Sequence, residues 1–200
     1  VQRMLACGEK HGAELVMADY NMCYRKKKTV HVYARNSCVF GPADNLFFLE
    51  DILKPQTGAG FVWGKLFRRQ KLAEEQIFFN ERLSAAEDEE FMLRAAYNMN
   101  KICYIPEHFY AYRFNPESAV RKYQNDYVKK YCDTMVELKK FIWSHRDILS
   151  LRESYYNCLL YHLLLITVNY SFHPGKPGSG RGKRREFKAM LKEPVWQECL

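Results

Sequence analysis

The sequence predicts an α/β region followed by an all-helical one. Three observations predict it. Short apolar or alternating runs of strand type are interleaved with helical patterns as far as residue 115. Past Pro116 the regular patterns are two long helical periodicities, near Asn125–Ser144 and Leu151–Asn169. Hydrophobic residues make up 48% of the 200 and aromatics 15%, enough for a core, which excludes a wholly disordered chain. The expected division is 1–115 and 116–200, without internal repeats.

Val1, Met4 and Leu5 share a helical face, and Gly12 stops that helix. Glu14–Tyr20 reads as a short buried strand, because Leu15–Ala18 is almost wholly apolar, as in a strand covered on both faces. Lys26-Lys27-Lys28 reads as a solvated turn. Thr29–Ala34 mixes branched and aromatic residues, a second strand. Pro42-Ala43-Asp44 opens a helix that runs to about Leu53. Gly58-Ala59-Gly60 is a flexible loop leading into Phe61–Phe67. A short basic helix is expected at Arg68–Glu74, a strand at Ile77–Phe79 and a helix at Glu87–Asn100. Lys101–Ile105 and His108–Tyr112 read as strands parted by Pro106. In the helical region Tyr127, Tyr131, Met135, Leu138 and Ile142 mark one apolar face. Gly175–Gly182 is a Pro/Gly/Ser linker, followed by a basic run and a final short helix.

The formal net charge is +8, which favours anionic partners: nucleotide phosphates, acidic membrane surfaces or nucleic acid. The seven cysteines are widely spaced, odd in number and without a CxxC pair. That argues against a structural zinc site or a disulfide framework and for reduced thiols in a cytoplasmic protein. Ser154–Gly175 contains no Lys, Arg, Asp or Glu, yet its dense apolar part, Cys158–Val168, is short and interrupted by His162. It reads as a buried amphipathic helix rather than a membrane span. The chain opens on Val1 with no signal peptide, and its first residues already read as the middle of a domain, so a fragment is expected.

Trp63-Gly64-Lys65-Leu66-Phe67, Glu87-Asp88-Glu89-Glu90-Phe91, Tyr104-Ile105-Pro106 and Tyr110-Ala111-Tyr112-Arg113 follow one another in a familiar order. The set resembles the second half of family two glycosyltransferases, the A-type fold that builds capsules, lipopolysaccharide and other surface glycans. The resemblance covers residues 1 to about 120. It implies the C-terminal half of a Rossmann-like sheet, followed here by an all-helical extension. In that family the first half binds the nucleotide, and an aspartate pair there grips a divalent metal, Mg or Mn. Those ligands would lie outside this chain. The implied activity is transfer of a sugar from a nucleotide-sugar donor to a glycan or lipid-linked acceptor. The fragment alone would be inactive.

The resemblance singles out Asp88 as the base. In an inverting transferase a carboxylate takes the proton from the acceptor hydroxyl as its oxygen attacks the anomeric carbon, so one well-placed Asp suffices. Ser84-Ala85-Ala86-Glu87 also matches a capping box, and acidic residues in a first helical turn complement the helix dipole without any catalytic role. Glu87 is the expected partner of Asp88 or the cap. Gly58 and Gly60 would let the backbone approach the donor, or simply turn the chain. Trp63 would stack on a sugar ring or anchor the core. Lys65 would meet diphosphate oxygens or lie on the surface. Arg113 sits where the family's last core strand ends near the active site. Many relatives place a histidine just after it; here Phe114 and Asn115 follow.

A second reading has only charge behind it: a non-catalytic basic module binding polyanions. No nucleic-acid-binding signature is present, so nucleic acid is not the expected partner. Arg181, Lys183, Arg184 and Arg185, beside Phe187, Met190, Leu191 and Trp196, suit an anionic membrane surface, and the protein would then be peripheral at the inner face of the membrane. Half a sheet would also leave apolar area bare, for which a homodimer or a covering by the C-terminal helices is the expected remedy.

Overall fold

A computed structural model of the protein describes residues 1–24, 27–34, 36–55, 57–115, 118 and 123–200. Lys26 of the expected turn and Pro116 at the expected boundary lie outside the described residues. The chain forms two compact units, Val1–Asn80 with Asp88–Phe114, and Glu81–Glu87 with Asn115–Leu200.

The first unit is mixed α/β. Helix α1 (Gln2–His11) stops at Gly12, whose φ of 61° is the left-handed turn glycine makes without strain. Strand β1 (Leu15–Tyr24) is the spine of the sheet, and its first seven residues are buried. On one edge it pairs in parallel with β5 (Ile102–Arg113). On the other it pairs antiparallel first with β4 (Lys65–Phe67), then with β2 (Lys27–Val30). β3 (Cys38–Phe40) adds antiparallel to β5. Met4, Ala13, Val16, Ala18 and Cys103 pack together where α1 lies on this sheet.

Helix α2 (Asn45–Leu53) buries Phe48, Leu49, Ile52 and Leu53. A short helix α3 (Arg69–Glu74) and the helix α4 (Glu87–Tyr97) follow. From α4, Phe91, Met92, Leu93, Ala95 and Ala96 are buried.

Several expected boundaries move, each for a local reason. β1 runs on to Tyr24 and pairs with Lys27, so Lys27 and Lys28 belong to an edge strand rather than a turn; lysines suit such an edge. β2 stops at Val30, short of Ala34, because the Tyr33 N–H donates to the Asp19 carboxylate at 2.9 Å instead of a ladder carbonyl. Ile77–Phe79 is not a strand. Its backbone is held by a side chain, the Arg94 guanidinium donating to the Phe78 carbonyl at 2.7 Å, and the Phe79 ring stacks on Phe91 at 4.3 Å. The two strands expected around Pro106 are one strand. Its register slips where Ala18 pairs with Ile105, Asp19 with His108 and Tyr20 with Tyr110, and Pro106 sits in that bulge, where no ladder donor is needed.

The second unit is helical. α5 (Tyr127–Ser144) buries Tyr127, Tyr131, Met135, Leu138 and Ile142 against α6 (Arg152–Ile166), reached through a 3-10 turn, Arg146–Leu151. α6 loosens into a π-helical turn, Thr167–Ser171. α7 (Gly180–Met190) starts inside the expected linker, because Ser179 caps it, accepting from the Gly182 N–H at 3.1 Å. The short α8 (Pro194–Gln197) inserts a fully buried Trp196 beside α5 and α6.

Candidate active site

The chemistry of the first unit gathers at a seam in the sheet. Along one edge β1 changes neighbour from β4, which ends at Met17, to β2, which begins at Asn21. Along the other edge its register with β5 slips on both sides of Asp19. Ala18, Asp19 and Tyr20 therefore lie where the ladder is interrupted twice, and backbone polarity there is satisfied by other means. The Ala18 N–H donates to the Gly64 carbonyl at 3.2 Å, and the His31 N–H to the Tyr20 carbonyl at 3.0 Å. A hollow too tight for water lies at this point, lined by Asp19, Tyr20, His31, Thr57, Trp63 and Lys65 among others.

Asp19 is 1% exposed. Burying a carboxylate is costly unless donors surround it. Tyr104 donates its hydroxyl at 2.6 Å, the Tyr33 N–H lies at 2.9 Å, and His31 Nδ1 lies at 3.6 Å. Burial, with the hydrogen bond to Asp19 behind it, pushes the Tyr104 phenol above its ordinary range. Tyr33 is pushed up by burial and by its hydrogen bond to Asp51, 2.7 Å away. Both phenols thus stay protonated and act as donors. Sequence reasoning missed this network. Its one signal is an aspartate directly after the apolar run Leu15–Ala18.

Lys65, Asp88 and the loop between them form a second network. The Lys65 ammonium donates to the Gly58 carbonyl at 2.9 Å and to the Phe61 carbonyl. The Val62 N–H, on the other side of the same Phe61–Val62 peptide, donates to Asp88 Oδ2 at 3.3 Å. One peptide group therefore links an amine to a carboxylate. Desolvation lowers the Lys65 pKa to about 7, while the charge on Asp88 opposes that fall. The loop is tied back as well: Thr57 Oγ1 donates to the Asp51 carbonyl at 2.6 Å and accepts from the Ala59 N–H at 3.2 Å.

The structure brings Gly58, Gly60, Trp63, Lys65 and Asp88 into one loop-and-helix cluster. Asp88 is the second residue of α4, half-buried. Glu87 opens that helix, and Ala86 before it has φ 55°, so Ser84 stands too far upstream to form a capping box with Glu87. Glu87 falls in the second unit. Both glycines are engaged by the chain itself. Gly58 has φ 77°, and a Cβ there would meet Tyr20 Cε1 at 3.0 Å; at Gly60 it would meet the Ile52 carbonyl at 2.9 Å. The ring of Trp63 stacks with Phe61 at 4.6 Å and Tyr110 at 4.7 Å and meets Tyr20 edge-on at 4.6 Å. Trp63 itself is half-buried, and the more exposed rings beside it are Phe61 and Tyr110, at 40% and 36%. Arg113 ends β5 opposite Cys23, exposed. Phe114 packs on Tyr24 at 4.0 Å and offers no donor atom to a metal.

These features define an α/β unit with a polar, aromatic-walled seam at one edge of its central strand. No family model matches the chain. It is 26% identical over 145 residues to the protein called "Putative glycosyltransferase EpsH" of Bacillus subtilis (strain 168). That match takes in 70% of this chain, which spans 41% of the length of that curated relative. Among solved structures, S. aureus TarS 1-349 in complex with UDP-GlcNAc is 15% identical with a TM-score of 0.49, over 82% of this chain and 53% of that one. The same protein in complex with UDP is 14% identical with a TM-score of 0.43, over 95% and 41%. The chain thus joins a mixed α/β unit to a similarity, over 145 residues, with one protein named as a putative glycosyltransferase.

Proposed function

We propose that the chain is part of an inverting glycosyltransferase that moves a sugar from a nucleotide-sugar donor to a glycan or lipid-linked acceptor in surface polysaccharide synthesis. The observation that carries this reading is the Asp88 carboxylate, held by the Val62 N–H beside the desolvated Lys65 amine and the Phe61–Trp63–Tyr110 rings. In the proposed step the acceptor hydroxyl gives its proton to Asp88 as its oxygen bonds to the anomeric carbon. The bond from that carbon to the diphosphate oxygen breaks, and the nucleoside diphosphate leaves with the electron pair. Lys65 is a positioning residue: by holding the Phe61 carbonyl it orients the peptide whose N–H fixes Asp88. Phe61 and Tyr110 offer ring faces to a sugar.

A divalent metal, Mg or Mn, belongs to this reading only for the whole protein, held by residues outside the chain. The segment after β5 does not supply a ligand at Phe114, and no step above runs through a metal. Because the chain spans 41% of its curated relative, the 200 residues alone are expected to bind nucleotide sugars weakly and to transfer none. The test uses the full-length protein with a panel of nucleotide sugars, following release of nucleoside diphosphate and retention or inversion at the anomeric carbon. Product with inverted configuration, lost in Asp88→Asn with the fold intact, supports the reading. Retained configuration, or full turnover in Asp88→Asn, rules it out.

A further inference from the structure

Two features of the helical unit are left without a role by the chemistry above. The first is a ridge. Leu160, Leu164, Val168 and Phe172 follow one another at four-residue intervals along α6, its π-helical turn and the residue that ends it, and all are exposed, by 39%, 64%, 66% and 44%. Isolated exposed leucines need no explanation, but four in register on one helix face form a continuous apolar strip. No Lys, Arg, Asp or Glu occurs between Ser154 and Gly175, so no such charge on this segment opposes removal of the strip from water.

The second is a stripe of cations. Arg181, Arg184, Arg185, Lys188 and Lys192 line one open hollow along α7 and just past its end. Their spacing of three, one, three and four residues puts them on one side of the helix. Within α7 the one acid is Glu186, and it is engaged by Lys176 at 2.8 Å. The ridge and the stripe adjoin. α7 packs against the π-helical turn, the Phe187 ring meets Phe172 at 5.4 Å, and Lys183 donates to the His173 carbonyl at 3.3 Å. The sequence pattern suggested that α7 itself carries both halves of such a surface. The structure divides the work: Met190 and Trp196 turn inward, and the exposed apolar part comes from α6.

We infer that the helical unit docks on an anionic bilayer surface, with the Leu160–Phe172 ridge entering the headgroup–acyl boundary and the α7 stripe meeting lipid phosphates. Charge selects this occupant over a second copy of the chain: a copy would bring its own five cations to the contact, whereas an anionic bilayer neutralises them. A spanning mode is not involved, since among the described residues no helix is long and apolar enough to cross a membrane.

The test is co-sedimentation of the 200-residue chain with vesicles of phosphatidylcholine alone and of phosphatidylcholine mixed with phosphatidylglycerol, so its outcome does not depend on sugar transfer. Binding to the mixed vesicles and not to the neutral ones, weakened by added salt, is expected. Arg184→Glu/Arg185→Glu/Lys188→Glu should lower the bound fraction tenfold or more. Leu164→Ser/Val168→Ser should lower it severalfold while the circular dichroism spectrum stays that of the parent. All five positions are exposed, so the variants should fold. The proposal is overturned by equal binding to neutral vesicles or by no binding to either. Undiminished binding of either variant also overturns it. So does a ridge variant that changes the oligomeric state but not lipid binding, or tight binding to nucleic acid with none to vesicles.

Discussion

Two lysines, one in each unit, show how differently the two regions treat a buried charge. Lys65 in the α/β unit touches backbone carbonyls, and desolvation brings its pKa down to about 7. Lys176 in the helical unit is 5% exposed, and desolvation pulls it the same way. Yet its partner Glu186, at 2.8 Å, and the Tyr170 side chain carry the net shift upward. Carbonyl dipoles solvate an ammonium without neutralising it; a carboxylate does more. The α/β unit thus keeps an amine that can lose its proton near neutral pH, the property of a site. The helical unit keeps one that cannot, the property of a brace.

This contrast can be broken or sharpened. The largest effect should come from Asp88→Asn in the full-length protein: a loss of roughly 10²–10⁴ in turnover, the usual worth of a general base, with an unchanged melting profile. A similar loss from Lys176→Met would erase the distinction between site and brace.

Next is the pH dependence of stability. The native Lys65 pKa lies below its unfolded value, so the unfolded chain binds more protons between about pH 7 and the ordinary lysine range. Lys65 should therefore make stability rise with pH across that window, by at most about 1.4 kcal/mol per pH unit, and Lys65→Met should flatten the rise. Lys176, shifted upward, should contribute with the opposite sign. Its stabilisation is complete below the ordinary lysine range and is lost only as pH climbs past it. Urea unfolding of the two variants at a series of pH values reads both slopes. A rise that survives Lys65→Met would assign it to another group.

Tyr104→Phe removes the 2.6 Å donor to the buried Asp19 and should cost about 1.5–3 kcal/mol, the range for a hydrogen bond to a charged group. Chemical denaturation measures it, and a loss within error would mean that the Tyr33 N–H alone satisfies that carboxylate. The smallest effect is that of Lys176→Met at neutral pH, about 1 kcal/mol, because Glu186 is well exposed and returns to water when its partner goes.

Much of the fold was legible where a signal is local. The face Tyr127, Tyr131, Met135, Leu138, Ile142 repeats at helical spacing and is the face that α5 buries. Gly12 ends α1 in the left-handed conformation that glycine adopts without strain. The apolar run Leu15–Ala18 is the buried spine. Where local signals are short they misled. Ile77–Phe79 has a strand's composition, but a guanidinium from α4 takes its backbone carbonyl. Pro106 reads as a strand break, but a bulge absorbs it.

The site shows the same division. Side-chain types and order along the chain pointed to Asp88, Lys65 and the glycine loop, because those residues lie close in sequence and their motif is linear. By itself the sequence determined the helical faces, the strand at Leu15, the basic run after Ser179 and the linear motif around Trp63. Only the tertiary structure decided that one peptide joins Lys65 to Asp88, that Trp63 spends its ring on Phe61 and Tyr110, and that Asp19, Tyr104 and His31 share a buried network. It also decided that an apolar ridge on α6 lies beside the cations of α7. The physical reason is common to all of these. Periodicity and capping act over a few residues and are written in the chain. Desolvation, stacking and charge pairing depend on groups far apart in the chain, such as Asp19 and Tyr104, 85 residues apart, which meet only because β1 and β5 lie side by side in one sheet.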